Sequence, residues 1–172
     1  MYVLGIDPGQ TGGIALLANT ELIQLESFTK DRFENVLLLR SFLKNRISKI
    51  HAFVEQNHSY PGQGAVSIYS LGFSNGCIYG VLAGVTALRE VTPEEWQKHF
   101  KLKLPRQKWK GLSKKERQKL IYQRKKKRKE MSLQKAKELY PDWADKIGKK
   151  DGLAEAILIA RYGLFLLQGG GE

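Results

Sequence analysis

Apolar runs and compact turn signals alternate over the first third of the chain. Residues 2–7 (YVLGID) form an apolar run that stops on an aspartate, and PGQTGG follows as punctuation. GIALLA (13–18) reads as a second strand, Asn19-Thr20 as a turn, and ELIQLESF (21–28) alternates apolar and polar positions as a half-buried strand does. Three strands joined by tight turns predict an antiparallel meander. Phe33, Val36, Leu37, Leu39, Phe42, Leu43 and Ile47 then recur at helical spacing over 32–48, with Leu38 off that face. KIHAFVE (49–55) predicts a strand, again ending on a carboxylate. Residues 65–83 predict a helix in which Gly72, Gly76 and Gly80 recur every four residues, so one face is bare enough for close approach.

TALREV (86–91) predicts a further strand. Thr92-Pro93-Glu94-Glu95 is a helix start, with Thr at the N-cap and Pro at the first helical position. Trp96 and Phe100 on this helix are expected in the core. KLKLPRQKWKG is a basic loop, and SKKE at 113–116 is a capping box opening a helix to 139. Pro141 stops it, Trp143 is expected to pack back on the core, and a last helix runs from 151 to 167 before a GGGE tail. Strands interspersed with helices in this order predict an α/β fold with a mixed sheet.

Composition adds limits. The chain has 172 residues and 42% hydrophobic content, enough for one domain with a full core. Cys77 is the one cysteine, so an intrachain disulfide is excluded. No apolar stretch approaches 18 residues, so no transmembrane helix is expected. MYVLGIDPG lacks the basic and apolar regions of a secretory signal. An intracellular, soluble protein with no membrane partner is expected. Charge is more telling: of the net +12, all the excess sits in residues 101–137, with 17 Lys and Arg against Glu116 and Glu130. A patch this concentrated suits nucleic acid, because duplex DNA carries a charge every ~1.7 Å. A solvated helix face or a nuclear address is the plainer alternative.

The candidate chemistry lies in four carboxylates. Asp7 and Glu55 each terminate a predicted central strand, where α/β folds place their sites. Asp151 and Glu155, in KKDGLAEAILIARYG, share one face of the last helix and repel each other at a cost of roughly 0.2–0.5 kcal/mol. Taken singly, Asp7 could cap its own turn, Glu55 could end a strand in solvent, and Asp151 could be an N-cap. Glu155 sits among Leu153, Ala154, Ala156, Ile157 and Ile159, where a carboxylate is costly unless paired or metal-bound. Convergent oxygen ligands suit two Mg²⁺ ions, with Mn²⁺ substituting. His51, His58 and His99 show no zinc spacing.

LGIDPGQTGGIAL, FVEQ, SLGFSNG and KKDGLAEAILIA together resemble the RuvC-type Holliday junction resolvases of the ribonuclease H-like superfamily, most of all the phage and bacterial branch ending DGxAEALLIA. The resemblance spans nearly the whole chain in the right order. It implies a five-stranded mixed sheet, first three strands antiparallel, flanked by helices. It implies one nuclease domain over 1–172 with a basic DNA-binding insertion at about 101–137. Asp7, Glu55, Asp151 and Glu155 then become the catalytic, metal-binding acids. Many relatives carry two aspartates three residues apart in the last helix; here the spacing is four and the second acid is Glu. The implied activity is metal-dependent cutting of branched DNA, a four-way junction above all, by paired nicks that leave 5′-phosphates. The implied setting is DNA recombination, repair or phage DNA processing, in a bacterial or phage-infected cytoplasm. Symmetric cuts imply a homodimer, with the glycine-faced helix as a candidate interface.

DNA contacts are expected from Gln56, from His58 and Tyr60 just past the VEQ motif, and from Lys108, Lys110, Arg124, Lys125, Lys126, Lys127 and Arg128 in the basic segment. Lys149 and Lys150 flank Asp151; one of these, or Lys126 or Lys127, is expected to approach the scissile phosphate. Trp109, amid lysines, is either core or contact. Three rivals are weighed. An actin-like ATPase or sugar kinase shares GIDxGxT but needs a second domain. A non-catalytic DNA binder does not need four acids. A ribonuclease H on RNA–DNA hybrid differs by substrate preference alone.

Overall fold

A computed structural model describes every residue except 10, 58–61, 86, 108 and 171–172. Strands β1 (Tyr2–Asp7), β2 (Gly13–Ala18) and β3 (Glu21–Ser27) form the antiparallel meander. β4 (Ile50–Glu55) returns parallel to β1, and β5 (Ala87–Val91) lies parallel to β4. The five strands run in the order β3-β2-β1-β4-β5, so β1 is central. The helices are α1 (Arg32–Leu43), α2 (Ala65–Leu82), α3 (Pro93–His99), α4 (Lys114–Leu139), the short α5 (Ala144–Ile147) and α6 (Asp151–Leu167).

Period-two alternation divides the core. Leu4, Ile6, Ile14, Leu16, Ala52 and Val54 pack toward α1 and α2. Val3, Ala15, Leu17, Phe53 and Val91 pack toward α6, with Trp96 of α3 and Ala136 of α4 behind them. α6 lies directly on the sheet because small residues let it. A Cβ on Gly5 would meet the Ala156 carbonyl and the Ala160 nitrogen at 2.3 Å each. A Cβ on Gly152 would meet the Thr11 carbonyl at 2.1 Å. Both positions require the missing side chain so that backbone can touch backbone.

Thr92 caps α3 and Ser113 forms a complete capping box with Glu116, as the sequence predicts. Two features were not foreseen: Glu95 completes a second capping box with Thr92, and Asp31 caps α1 through the amides of Phe33 and Glu34. α1 departs from expectation. It ends at Leu43 rather than 48, because Asn45 takes a left-handed φ of 60° and a 3-10 turn follows at Ile47–Lys49. Its expected inner face is also corrected: Phe33 and Leu37 are 77% and 65% exposed, while Leu38 packs on the core. α2 corrects a second expectation, since at 18 residues it is long and apolar enough to cross a membrane by length and composition. Its residues are mostly unburied here, and Val66, Tyr69 and Phe73 are exposed.

Candidate active site

The pleat explains how two strand-end carboxylates meet. β1 and β4 are parallel, with Ile6 beside Val54, so Asp7 and Glu55 leave the same end of adjacent strands. Asp7 shares its face with Val3 and Gly5, and Glu55 with Phe53. That is the face covered by α6, so both acids emerge beneath the N-terminal turns of α6, which carry Asp151 and Glu155. The 3.6-residue period puts those two on one side, next to residues buried on the sheet: Leu153, Ala154, Ala156 and Ile157 are at most 1% exposed.

Each acid has a distinct partner. Asp7 Oδ1 accepts from the Gly9 amide at 3.2 Å, the sharp Pro8-Gly9 turn folding back on it. Buried Glu55 accepts the indole N–H of Trp96 at Oε1, 2.9 Å. Asp151 is ion-paired with Lys129 of α4. It is the first residue of α6 rather than its cap, since Lys150 occupies the cap position without a side-chain bond.

Desolvation and mutual repulsion push the acids up. Asp7 rises to about 6, first through burial and then through Asp151, although the Gly9 amide and Lys129 oppose this. Glu55 rises to about 7 through burial and the charge of Asp7, against Trp96 and Arg128. Glu155 rises to about 8 through burial, Asp7, Glu55 and Asp151, with Lys129 opposing. Burial lowers the Lys129 ammonium, but its bond to Asp151 and the charges of Asp151, Glu155 and Asp7 outweigh that and raise it. The four acids therefore feel one another across one small volume, and one ammonium does not neutralise them.

Among the described residues, no group of three or more His, Cys, Asp or Glu side chains closes to metal-holding distance. The donor set nonetheless fits a hard divalent cation: it is all oxygen, largely buried and short of positive charge.

The expected DNA contacts divide. Lys110, Lys125, Lys126, Lys127, Arg128, Lys149 and Lys150 are exposed. Lys126 pairs with Glu130 at 3.9 Å. Arg124 is half-buried, donating to the carbonyls of Pro105 at 2.8 Å and Leu104 at 3.4 Å, which makes it a brace for the basic loop. The Gln56 amide donates to Glu90 at 3.3 Å. His58, Tyr60 and Lys108 lie outside the described residues. Among the described residues, the lysine ion-paired with one of the four acids is Lys129, a residue the expectation did not include. Sequence reading missed it because it sits in an unbroken run of cations. Its signal was the spacing to Ser132 and Ala136, the buried positions three and seven residues on that turn this face of α4 to α6. Trp96 is core, as expected, but its donation to Glu55 was also missed.

No protein-family model and no curated protein matches the sequence. The fold does have solved counterparts. It is similar to Thermus thermophilus RuvC in complex with a Holliday junction substrate, at a TM-score of 0.60 and 18% identity, covering 98% of this chain and 96% of that one. It is similar also to a second Thermus thermophilus RuvC structure, at a TM-score of 0.58 and 17% identity, covering 98% and 97%. Over nearly its whole length, then, the chain has the ribonuclease H-like fold of RuvC.

Proposed function

We propose that this protein is a metal-dependent endonuclease that resolves four-way DNA junctions by paired nicks, leaving 5′-phosphate ends. One observation carries the reading: acids from three distant parts of the chain gather at one end of the central strands, where burial raises Asp7, Glu55 and Glu155, and Asp151 further raises Asp7, Asp7 raises Glu55, and Asp7, Glu55 and Asp151 raise Glu155. Such a cluster costs folding energy and is expected where chemistry needs it. The RuvC counterpart in complex with a junction supports branched DNA as substrate.

Asp7, Glu55, Asp151 and Glu155 would hold the cation, Mg²⁺ with Mn²⁺ as substitute. When bound, two such ions would make water a better nucleophile and stabilise the leaving oxygen. The chain's own residues prepare the place. Trp96 fixes which Glu55 oxygen faces inward, the Gly9 amide orients Asp7, and Lys129 offers a charged donor to an incoming phosphate. Exposed Lys and Arg of α4 supply sequence-independent attraction to the backbone.

Two opposed cuts call for a two-fold dimer. The outer face of α1 and α2 suits a second copy: Phe33, Leu37, Val66 and Tyr69 are exposed, and Gly72 and Gly76 have nothing within 4 Å of an added Cβ.

The test is cleavage of synthetic four-way junctions, flaps, linear duplex and RNA–DNA hybrid with Mg²⁺, Mn²⁺ or EDTA. Nicking at the branch, lost in EDTA and in Asp7→Asn or Glu155→Gln while binding persists, is expected. Wild-type cutting by Glu155→Gln, or preference for hybrid, would overturn the assignment.

A further inference from the structure

A groove of about 660 Å³ lies between the start of α3, the loop after it and the Ile121–Arg128 stretch of α4. Thr92, Pro93, Lys103, Trp109, Ile121 and Arg128 line it. Trp109 is 37% and Ile121 56% exposed, two large apolar side chains in the most basic part of the chain. The groove is braced, since Arg124 on its wall ties α4 to the Leu104 and Pro105 carbonyls. Arg128 lines the groove, and its charge also reaches Glu55. Trp96, the α3 residue that holds Glu55, lies one turn beyond Pro93. The groove is therefore linked to Glu55 on two sides, through Arg128 and through the start of α3.

We propose that this groove takes an unpaired nucleotide of the DNA strand leaving the acids, its base stacked on Trp109 and its phosphates held by Arg128 and the neighbouring cations. Charge chooses the occupant. The surrounding segment carries 17 cationic side chains against two acids, and the groove's own Glu94 is already paired with Lys103. An apolar protein segment would suit Trp109 and Ile121 but leave the surrounding segment's surplus of positive charge unanswered. A polyanion whose units each carry a flat apolar face satisfies both, and base–aromatic stacking tolerates any sequence. The volume lies in the range of small-ligand sites, enough for a nucleotide. The proposal deepens the nuclease reading and rests on it only for where the strand comes from.

The test needs no cleavage. Anisotropy of a labelled ten-nucleotide oligo-dT would be followed in EDTA with the full chain, Trp109→Ala and Trp109→Phe, alongside an abasic oligonucleotide of equal length. Trp109→Ala is expected to bind oligo-dT about tenfold more weakly, Trp109→Phe to recover most of that, and all three to bind the abasic strand alike. Equal oligo-dT affinity in Trp109→Ala, or an equal loss on the abasic strand, would overturn the proposal. So would stronger competition by an oligoglutamate peptide than by unlabelled oligo-dT. Melting curves matching wild type would show that exposed Trp109 is not needed for folding. Oligo-dT binding that behaves as expected in a chain that cuts no junction would remove the nuclease reading and leave the groove standing.

Discussion

Trp96 donates its indole N–H to Glu55 across 41 positions of sequence, joining the first turn of α3 to the last residue of β4 at 2.9 Å. Both partners are buried, so neither has water to fall back on. Trp96→Phe keeps most of the ring and deletes the donor. The bond lowers the pKa of Glu55, so its loss should raise it, and the acid limb of a pH–rate profile should move to higher pH. A stability loss of about 1–3 kcal/mol is expected in urea titrations. An unshifted acid limb would separate Trp96 from the chemistry.

Lys129 should act through its charge. Lys129→Met is expected to cut junctions roughly 100-fold more slowly, the scale of losing one preorganised donor. Junction affinity should change little, because the exposed cations of α4 remain. Lys129→Arg should recover part of the rate. Single-turnover rates beside equilibrium binding would show the split, and equal losses in both would make Lys129 an ordinary phosphate contact.

The raised acids make stability depend on pH in a stated direction. Folded Asp7, Glu55 and Glu155 titrate at about 6, 7 and 8, above their ordinary 3.8, 4.5 and 4.5. Between about pH 4 and 8 the folded chain therefore holds protons that the unfolded chain has released. Unfolding free energy then falls as pH rises. In EDTA, Tm should drop from pH 5 to pH 8 through this contribution, and Glu155→Gln should flatten the slope. Mg²⁺ should raise Tm more at pH 8 than at pH 6, because binding needs the ionised acids. Differential scanning calorimetry across that range checks both signs.

Gly5→Ala tests how closely α6 must lie. The new methyl would strike two backbone atoms of α6, neither of which can rotate away. A loss of about 3 kcal/mol or more is expected, with cutting reduced further than the folded fraction explains, since the whole helix is lifted from Asp7. Denaturation midpoints and specific activity at 10 °C would report the two effects separately.

The frame of the molecule was readable in advance because it rests on local periodicity. YVLGID announced both a buried strand and an aspartate at its end, and the bounds of α6 followed from its apolar face and the Gly tail. The misreadings arise where periodicity is mute. Phe33 and Leu37 sit at helical spacing yet face outward, since spacing marks an apolar face without saying what covers it. Lys129 is chemically identical to its neighbours, and only the docking of α4 on α6 singles it out. Trp96 needed no correction as a core residue, but a donor's partner 41 positions away is a tertiary fact. That Arg124 is bonded to the Leu104 and Pro105 carbonyls is likewise a tertiary fact, which composition cannot tell from a cation facing solvent.

The glycine-tight seating of α6 also determines which parts of the site can give way. A helix whose backbone meets the sheet at Gly5 and, through its own Gly152, the Thr11–Gly12 turn cannot slide or tilt without collision, so Asp7, Glu55, Asp151 and Glu155 ride on one rigid anvil. α4 meets that anvil only along its C-terminal part, where Ser132 and Ala136 are buried, and carries Lys129 just beyond the seam. Whatever movement the site allows therefore falls to α4, which makes Lys129 its adjustable member.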